Sequence, residues 1–376
     1  MKEPVRILRV VGKMGRGGAE TIIMNAYRLI DKRKLQFDFI VHTEEDHDYH
    51  EEIYALGGKI YRMPLYNGIN HYSYTSAWEN FFNKYTNYNL IHGHLMSTAA
   101  VYLQIAKKHG LTTIAHSHNT SFGKGFAAII KKKLNARIGH IPDYLFACSL
   151  PAGQFFFGPD VINKNNFKVI PNGIDVNQYK YNPNTRQEVR RELGIDASPV
   201  VGHVGNFDKQ KNHNFLISVF KKINDMMPNT VLLLVGDGQF RKQIEDQINE
   251  YALHNKVIMT GSRSDVNRLL QAMDVFVFPS YFEGFGNAVT EAQAAGLPCI
   301  VSDKVPDEIR ITDLVEFLPL HAELTIWADA IIKKLNSLER RDTSEEIFRA
   351  GYDIEPIAKW YEHFYLETSL NKNALY

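Results

Sequence analysis

Residues 275–303 read VFVFPSYFEGFGNAVTEAQAAGLPCIVSD. One apolar run closes at "VFVFPS", a glycine-broken turn follows, and a second apolar run, "PCIVSD", returns after one stretch of helical period. That order spells strand, turn, helix and strand, the unit from which parallel sheets are wound. In such a sheet ligands collect where strand carboxyl ends turn into helices, because helix N-terminal amides and the helix dipole favour anions. The turn "EGFG" is therefore expected to meet a ligand. Gly284 and Gly286 would let the backbone around Phe285 approach a diphosphate that a Cβ would obstruct. Asn287 begins the helix and carries Glu291 inward by about one turn. A carboxylate there cannot favour phosphate, so Glu291 suits hydrogen bonds from ribose hydroxyls. The plainer reading is a strand-to-helix turn with a solvated glutamate.

The same alternation extends to both sides. Upstream lie "PVVGHVG", "TVLLLVGDG" and "KVIMTGS", and downstream "VEFLP". The first half repeats it with "VRILRVV", "FDFIVH", "NLIHGH", "TTIAHSH", "YLFACS" and "FKVIPN". Over 19–30, Ile22, Ile23, Ala26, Leu29 and Ile30 fall on one helical face. The turn-rich "YKYNPNTRQE" separates the two series. The expected class is α/β, with two Rossmann-like parallel-sheet domains facing across a cleft. Their spans are 1–178 and 179–354, and an amphipathic C-terminal helix, about 355–376, crosses back to the first domain.

Composition agrees with two packed domains: 376 residues are 44% hydrophobic. Lys+Arg of 43 against Asp+Glu of 42 gives no global reason to expect nucleic acid as a partner. Residues 1–180 carry 22 basic and 14 acidic side chains, or +8, and the remainder 21 and 28, or −7. Cys148 and Cys299 sit in apolar strand-like runs, which argues against a disulfide framework and for a reducing cytoplasm. The opening apolar run is broken by Arg6 and Arg9, and no segment reaches membrane-spanning length, so any membrane contact is expected to be peripheral.

Other stretches carry chemistry with less force. "GKMGRGGAET", 12–21, is a second glycine turn, and it fits neither the dinucleotide fingerprint nor the Walker sequence. Gly17 and Gly18 there can approach something flat or anionic, or simply make a tight turn. "GNFDKQKNH", 205–213, places Lys209 and Lys211 at a strand end, where Lys211 can offset charge on a leaving phosphate. His92 and His94 close one strand and His116 and His118 another, and one of each pair is expected to face the cleft and the other the packing. A zinc site needs about four well-placed ligands and both cysteines lie elsewhere, so no metal is expected. The Asp-x-Asp of "EDHDYHEE", 45–52, reads as a solvated loop. Residues 123–140 combine apolar and basic side chains, suited to an anionic membrane surface or to an ordinary surface helix.

Together these positions resemble the family-4 glycosyltransferases, retaining enzymes of the GT-B fold, particularly those of bacterial exopolysaccharide and capsule assembly. "GGAET" resembles the family's first-domain glycine turn, "IPNGID" at 170–175 its approach to the hinge, and "EGFGNAVTEAQAAGLPCIVSD" its E-x7-E signature. The resemblance implies that Gly18, Phe285 and Gly286 hold the donor diphosphate through backbone amides. It implies that Glu283 binds donor sugar hydroxyls, Glu291 the ribose and Lys211 the phosphate. "TGSRSDV", 260–266, matches the nucleobase loop, with Arg263 beside the base. His116 matches the strand-end histidine near the reacting centre, with His118 as alternative. His92, His94, His118 and Asn119 are acceptor-side candidates. Most relatives carry an arginine five positions before the lysine. Asn206 stands there in this chain; Lys209 is the candidate to substitute for it, and a slower or differently tuned enzyme is the alternative.

The resemblance further implies transfer of a hexose or N-acetylhexosamine from a UDP-sugar to a lipid-linked saccharide, with retention, no cofactor, no metal and a cytoplasmic setting at the inner membrane face. Two rivals are a UDP-sugar epimerase or hydrolase of the same fold, and a non-catalytic partner of a polysaccharide assembly complex.

Overall fold

The computed structural model describes residues 3–119, 132–133, 135–195, 197–337 and 340–373. The chain forms two compact units, Met1–Gly173 with Ile354–Tyr376, and Ile174–Asp353. The boundary falls at Gly173 rather than 178 for a packing reason. Val176 and Tyr179 join Ala294 and Ile347 in a cluster of the second unit, and Ile174 bridges to Asp353 in parallel.

In the first unit the strands are β1 (Val5–Val10), β2 (Leu35–Val41), β3 (Ile60–Arg62), β4 (Leu90–Gly93), β5 (Thr112–Ser117), β6 (Tyr144–Ala147) and β7 (Phe167–Val169). They lie in the order β3-β2-β1-β4-β5-β6-β7, every described pairing parallel. Six of the seven coincide with the apolar runs. The exception is β3, a half-exposed edge of three residues that includes Tyr61 and Arg62 and has no apolar run to announce it. The helix Ile354–Asn373 returns to this unit, as expected. Its Ile354, Ile357, Ala358, Tyr361 and Tyr365, spaced by threes and fours, are buried in the core with Ile23, Tyr27 and Phe37.

The second unit holds β8 (Val200–Val204), β9 (Val231–Val235), β10 (Val257–Met259), β11 (Val275–Phe278), β12 (Cys299–Ser302) and β13 (Val315–Leu318), in the order β10-β9-β8-β11-β12-β13, again parallel. All six runs read from the sequence are strands. Both sheets reverse their winding beside their first strand, between β1 and β4 and between β8 and β11. Loops leaving those strands on either side of the reversal open a crevice, the usual ligand position in an open α/β sheet.

Candidate active site

In the second unit the crevice brings together what the opening stretch predicted. Phe278 ends β11, and the turn then runs through Glu283 to Gly286, which takes φ 107° immediately before the helix Asn287–Ala294. Only glycine adopts that angle freely, so the turn can enter its helix sharply. From the loop after β8, Lys211 donates from Nζ to Glu283 Oε1 at 2.7 Å and lies 4.6 Å above the Phe278 ring. Asp208 accepts from the Lys211 amide and caps the short turn that positions it. Phe285 is buried and stacks on Tyr352 with centroids 5.1 Å apart, so its side chain anchors the turn. Glu291 follows one helical segment later. Burial pushes its carboxyl up to about 7, against the opposing pull of the Tyr179 hydroxyl and the Lys211 ammonium.

Three neighbouring loops are stitched by backbone. Gly205 N–H donates to Val235 O, Phe207 N–H to Asp237 O, and Gly236 N–H to Gly261 O. Gly236 has φ 146°, and a Cβ there would stand 2.0 Å from the Gly205 carbonyl oxygen. Gly236 carries no expectation from the sequence, although a glycine directly after an apolar strand is a sign of close backbone approach. Asn206 and Lys209 are exposed beside this platform. Arg263 is exposed too, with Nε and Nη2 each donating to an Asp265 carboxylate oxygen at 2.7 Å. His213 is buried behind Lys211, its two ring nitrogens without a hydrogen-bond partner among the described residues, and burial drives its pKa down to about 2.

In the first unit, Gly17 precedes the helix Gly18–Leu29, and a Cβ at Gly17 would meet Glu20 Oε2 at 2.2 Å. The Glu20 carboxylate folds back over the turn into the space a side chain at Gly17 would take. Burial raises the Glu20 carboxyl pKa, partly offset by its own backbone amide and by Lys13. Lys13, Glu20, His42, Thr43 and His94 line a cavity of about 440 Å³.

The histidines differ from expectation. Residues two apart on a strand share a face, so neither pair divides between cleft and packing. The rings of His92 and His94 stack at 4.3 Å and those of His116 and His118 at 4.1 Å. His92 and His116 are buried, His94 and His118 half-buried, and Asn119 exposed. His92, whose two ring nitrogens are taken up by the Tyr365 hydroxyl and His116 Nδ1, is removed from the acceptor-side candidates. Nitrogens of His92, His94 and His116 lie within 4.8 Å of one another. The neighbouring charge is Arg9, which donates to His94 Nε2 at 3.0 Å and opposes a cation there. The sequence reading used Arg9 only as a break in the opening apolar run and gave neither it nor Tyr365 a place in the site, although a buried arginine is an observation that asks for a reason.

Of the remaining expectations, Asp46 pairs with His50 and Arg62, and Asp48 with Arg16, which leaves the Asp-x-Asp as an ion-paired loop. Most of 123–140 lies outside the described residues. Within its described part Ile138 is fully buried. Among the described residues no helix is long and apolar enough to cross a membrane.

The comparisons with known proteins give one picture. A family model described as Glycosyltransferase Family 4 matches residues 16–178, and one described as Glycosyl transferases group 1 matches 185–313. The putative glycosyltransferase EpsF of Bacillus subtilis (strain 168) is 31% identical over 362 residues, spanning 93% of each chain. The UDP-Gal:alpha-D-GlcNAc-diphosphoundecaprenol alpha-1,3-galactosyltransferase of Escherichia coli is 27% identical over 229 residues, 57% of this chain and 58% of that one. In fold, the chain resembles Anabaena HepE in its complex with UDP and glucose, with a TM-score of 0.77 at 20% identity over 96% of this chain and 99% of that one.

Proposed function

Since this chain belongs to the family-4 glycosyltransferases of GT-B fold, enzymes of polysaccharide biosynthesis, we propose that it moves a hexose or N-acetylhexosamine from a UDP-sugar to a hydroxyl of a lipid-linked saccharide, keeping the anomeric configuration. The observation that carries this reading is the Lys211–Glu283 pair beside the Gly286 turn and Glu291 at one strand-end crevice. A UDP-bound neighbour in the same fold and a galactosyltransferase relative named for a diphosphoundecaprenol substrate support the donor and the acceptor class.

The chemistry follows from charge. Without donor, Lys211 and Glu283 largely neutralise each other. A diphosphate brings its own negative charge, draws Lys211, and frees Glu283 to accept hydrogen bonds from sugar hydroxyls. As the glycosidic C–O bond breaks, charge grows on the leaving phosphate, where Lys211 and the amides of the Phe285–Gly286 turn stabilise it. The acceptor hydroxyl attacks from the face the diphosphate is leaving, and its proton passes to the departing phosphate oxygen. No protein nucleophile is required and no metal enters the scheme. In the first unit the cavity beside Lys13, Glu20 and His94 is the acceptor-side candidate. Ile69 at 93% and Tyr72 at 84% exposure, with Lys133 and Arg137 in the same unit, suit a peripheral contact with an anionic membrane face at the cytoplasmic side.

A thermal-shift panel of nucleotide diphosphates and their sugars tests the donor: UDP and UDP-sugars should raise the melting temperature and other nucleotides should not. Product analysis with a lipid-linked saccharide then tests transfer. Donor consumed as fast without acceptor as with it would instead establish an epimerase or hydrolase.

A further inference from the structure

The four histidines and Arg9 form two hydrogen-bonded rows that share one origin. Arg9 is buried, and it donates from Nη1 to His94 Nε2 at 3.0 Å and from Nη2 to the Tyr365 hydroxyl at 2.9 Å. The first row continues from His94 Nδ1 to His118 Nε2 at 2.8 Å. The second continues from the Tyr365 hydroxyl to His92 Nδ1 at 2.6 Å, then from His92 Nε2 to His116 Nδ1 at 3.2 Å.

A guanidinium only donates. His94 Nε2 must therefore accept and bear no hydrogen, which puts the His94 proton on Nδ1 and makes His118 Nε2 an acceptor in turn. The His118 proton then sits on Nδ1, near Asn172 but, like His116 Nε2, a buried atom that forms no hydrogen bond of good geometry among the described residues. Likewise the Tyr365 oxygen accepts from Arg9, and its own hydrogen has His92 Nδ1 as acceptor. The His92 proton is thus on Nε2 and is donated to His116 Nδ1. That leaves the His116 proton on Nε2, a buried atom with no partner among the described residues. Burial and the field of Arg9 keep all four rings neutral at physiological pH.

We propose that Arg9 sets the proton position of all four histidines, so that His116 presents Nε2–H at the end of β5 and meets substrate as a hydrogen donor to an oxygen, not as a base. Arg9, Tyr365 and His92 are then positioning residues that act through His116. That His116 meets substrate rests on the transferase reading; the proton positions do not.

Long-range 15N–1H spectra of the whole chain labelled in histidine read the tautomers directly, with signals assigned by single histidine substitutions. The expected pattern is Nδ1–H for His94 and His118 and Nε2–H for His92 and His116. Tyr365→Phe removes one hydroxyl and keeps the ring. It should release His92 and His116 into mixed tautomers and leave His94 and His118 as they were. His94 protonated on Nε2, or His92 and His116 signals unmoved by Tyr365→Phe, would overturn the relay. So would stoichiometric binding of zinc that shifts the rings together. Because these spectra need no substrate, they separate a failure of the relay from a failure of the transferase reading. For the substrate contact, His116→Gln keeps a donor near the same point and should hold kcat within about 10-fold. A loss of about 100-fold or more, the range for a general base, would overturn the donor role.

Discussion

In the second unit the cation at the strand ends faces a carboxylate, Lys211 against Glu283 at 2.7 Å. In the first unit the corresponding cation, Arg9, is buried over Phe37 at 4.0 Å and bonded to an imidazole and a phenol, and none of its described contacts is a carboxylate. A paired charge costs little to hold and can be drawn away by an incoming anion. An unpaired buried charge persists only because aromatic faces and neutral acceptors replace its hydration, and its field reaches the groups around it. One crevice is thus arranged to exchange partners with a ligand, whereas the other fixes where protons lie.

The sharpest way to break this contrast is Lys211→Ala. It deletes the cation that meets the leaving phosphate, so turnover should fall by at least about 100-fold, the usual loss of one electrostatic stabiliser. Steady-state donor consumption with acceptor present measures it. Near-normal turnover would remove the lysine from the chemistry and make the pair merely structural.

Next in size is Gly236→Ala. The new Cβ would press on the Gly205 carbonyl oxygen in a backbone conformation that L residues rarely adopt. A stability loss on the order of 2 kcal/mol is expected from urea unfolding. Gly261→Ala is its control: φ is 73° but the Cβ would meet open space, and the cost should be about 1 kcal/mol. Equal losses would show that close approach of the loops is not what requires glycine at 236.

The two crevices also differ in how far they could be read beforehand. Around Glu283 the candidate residues lie within one strand-turn-helix, and Lys211 sits at the end of the neighbouring strand, so their closeness could be read from spacing while the roles of Glu283 and Arg263 came from the family resemblance. The six strands of that unit are apolar runs, with β8, β9, β11 and β12 buried and the edge strands β10 and β13 half-buried, which is why all were legible. Around His116 the parts come from β1, β4, β5 and the C-terminal helix, with Arg9 and Tyr365 separated by most of the chain. No local pattern links them, and only sheet order and helix packing bring them together. The histidines themselves were visible, but their shared face follows from a spacing of two that the sequence reading divided between opposite faces.

A third experiment concerns the acid whose burial sets its charge. The Glu291 carboxyl titrates near 7 in the folded chain against an ordinary 4.5. Between those values the folded state binds more protons than the unfolded one. The stability this group contributes is therefore complete below about 4.5 and lost as pH rises through about 7. Glu291→Gln has no such proton to lose. Relative to wild type it should change little in melting temperature at pH 5 and gain at pH 8, by on the order of 2 kcal/mol. An offset that is the same at both pH values would mean that the carboxyl is not buried enough to resist charging.

The smallest effect tests the unpaired cation. His118 titrates at about 4, first because it is buried and second because Arg9 repels its protonated form. Its folded value lies below the ordinary 6.5, so its contribution to stability is present above about 6.5 and is lost as pH falls through about 4. Arg9→Met removes the repulsion while burial remains. The His118 midpoint should rise but stay below 6.5, as followed by histidine NMR across a pH titration. His213 in the other unit, whose low value comes from burial, His203 and Lys211, supplies the internal reference and should not move. An unmoved His118 would mean that the Arg9 charge is screened by the rings around it. The first crevice would then owe its proton order to hydrogen-bond geometry alone, since a donor-only guanidinium orients His94 whether or not its field extends further.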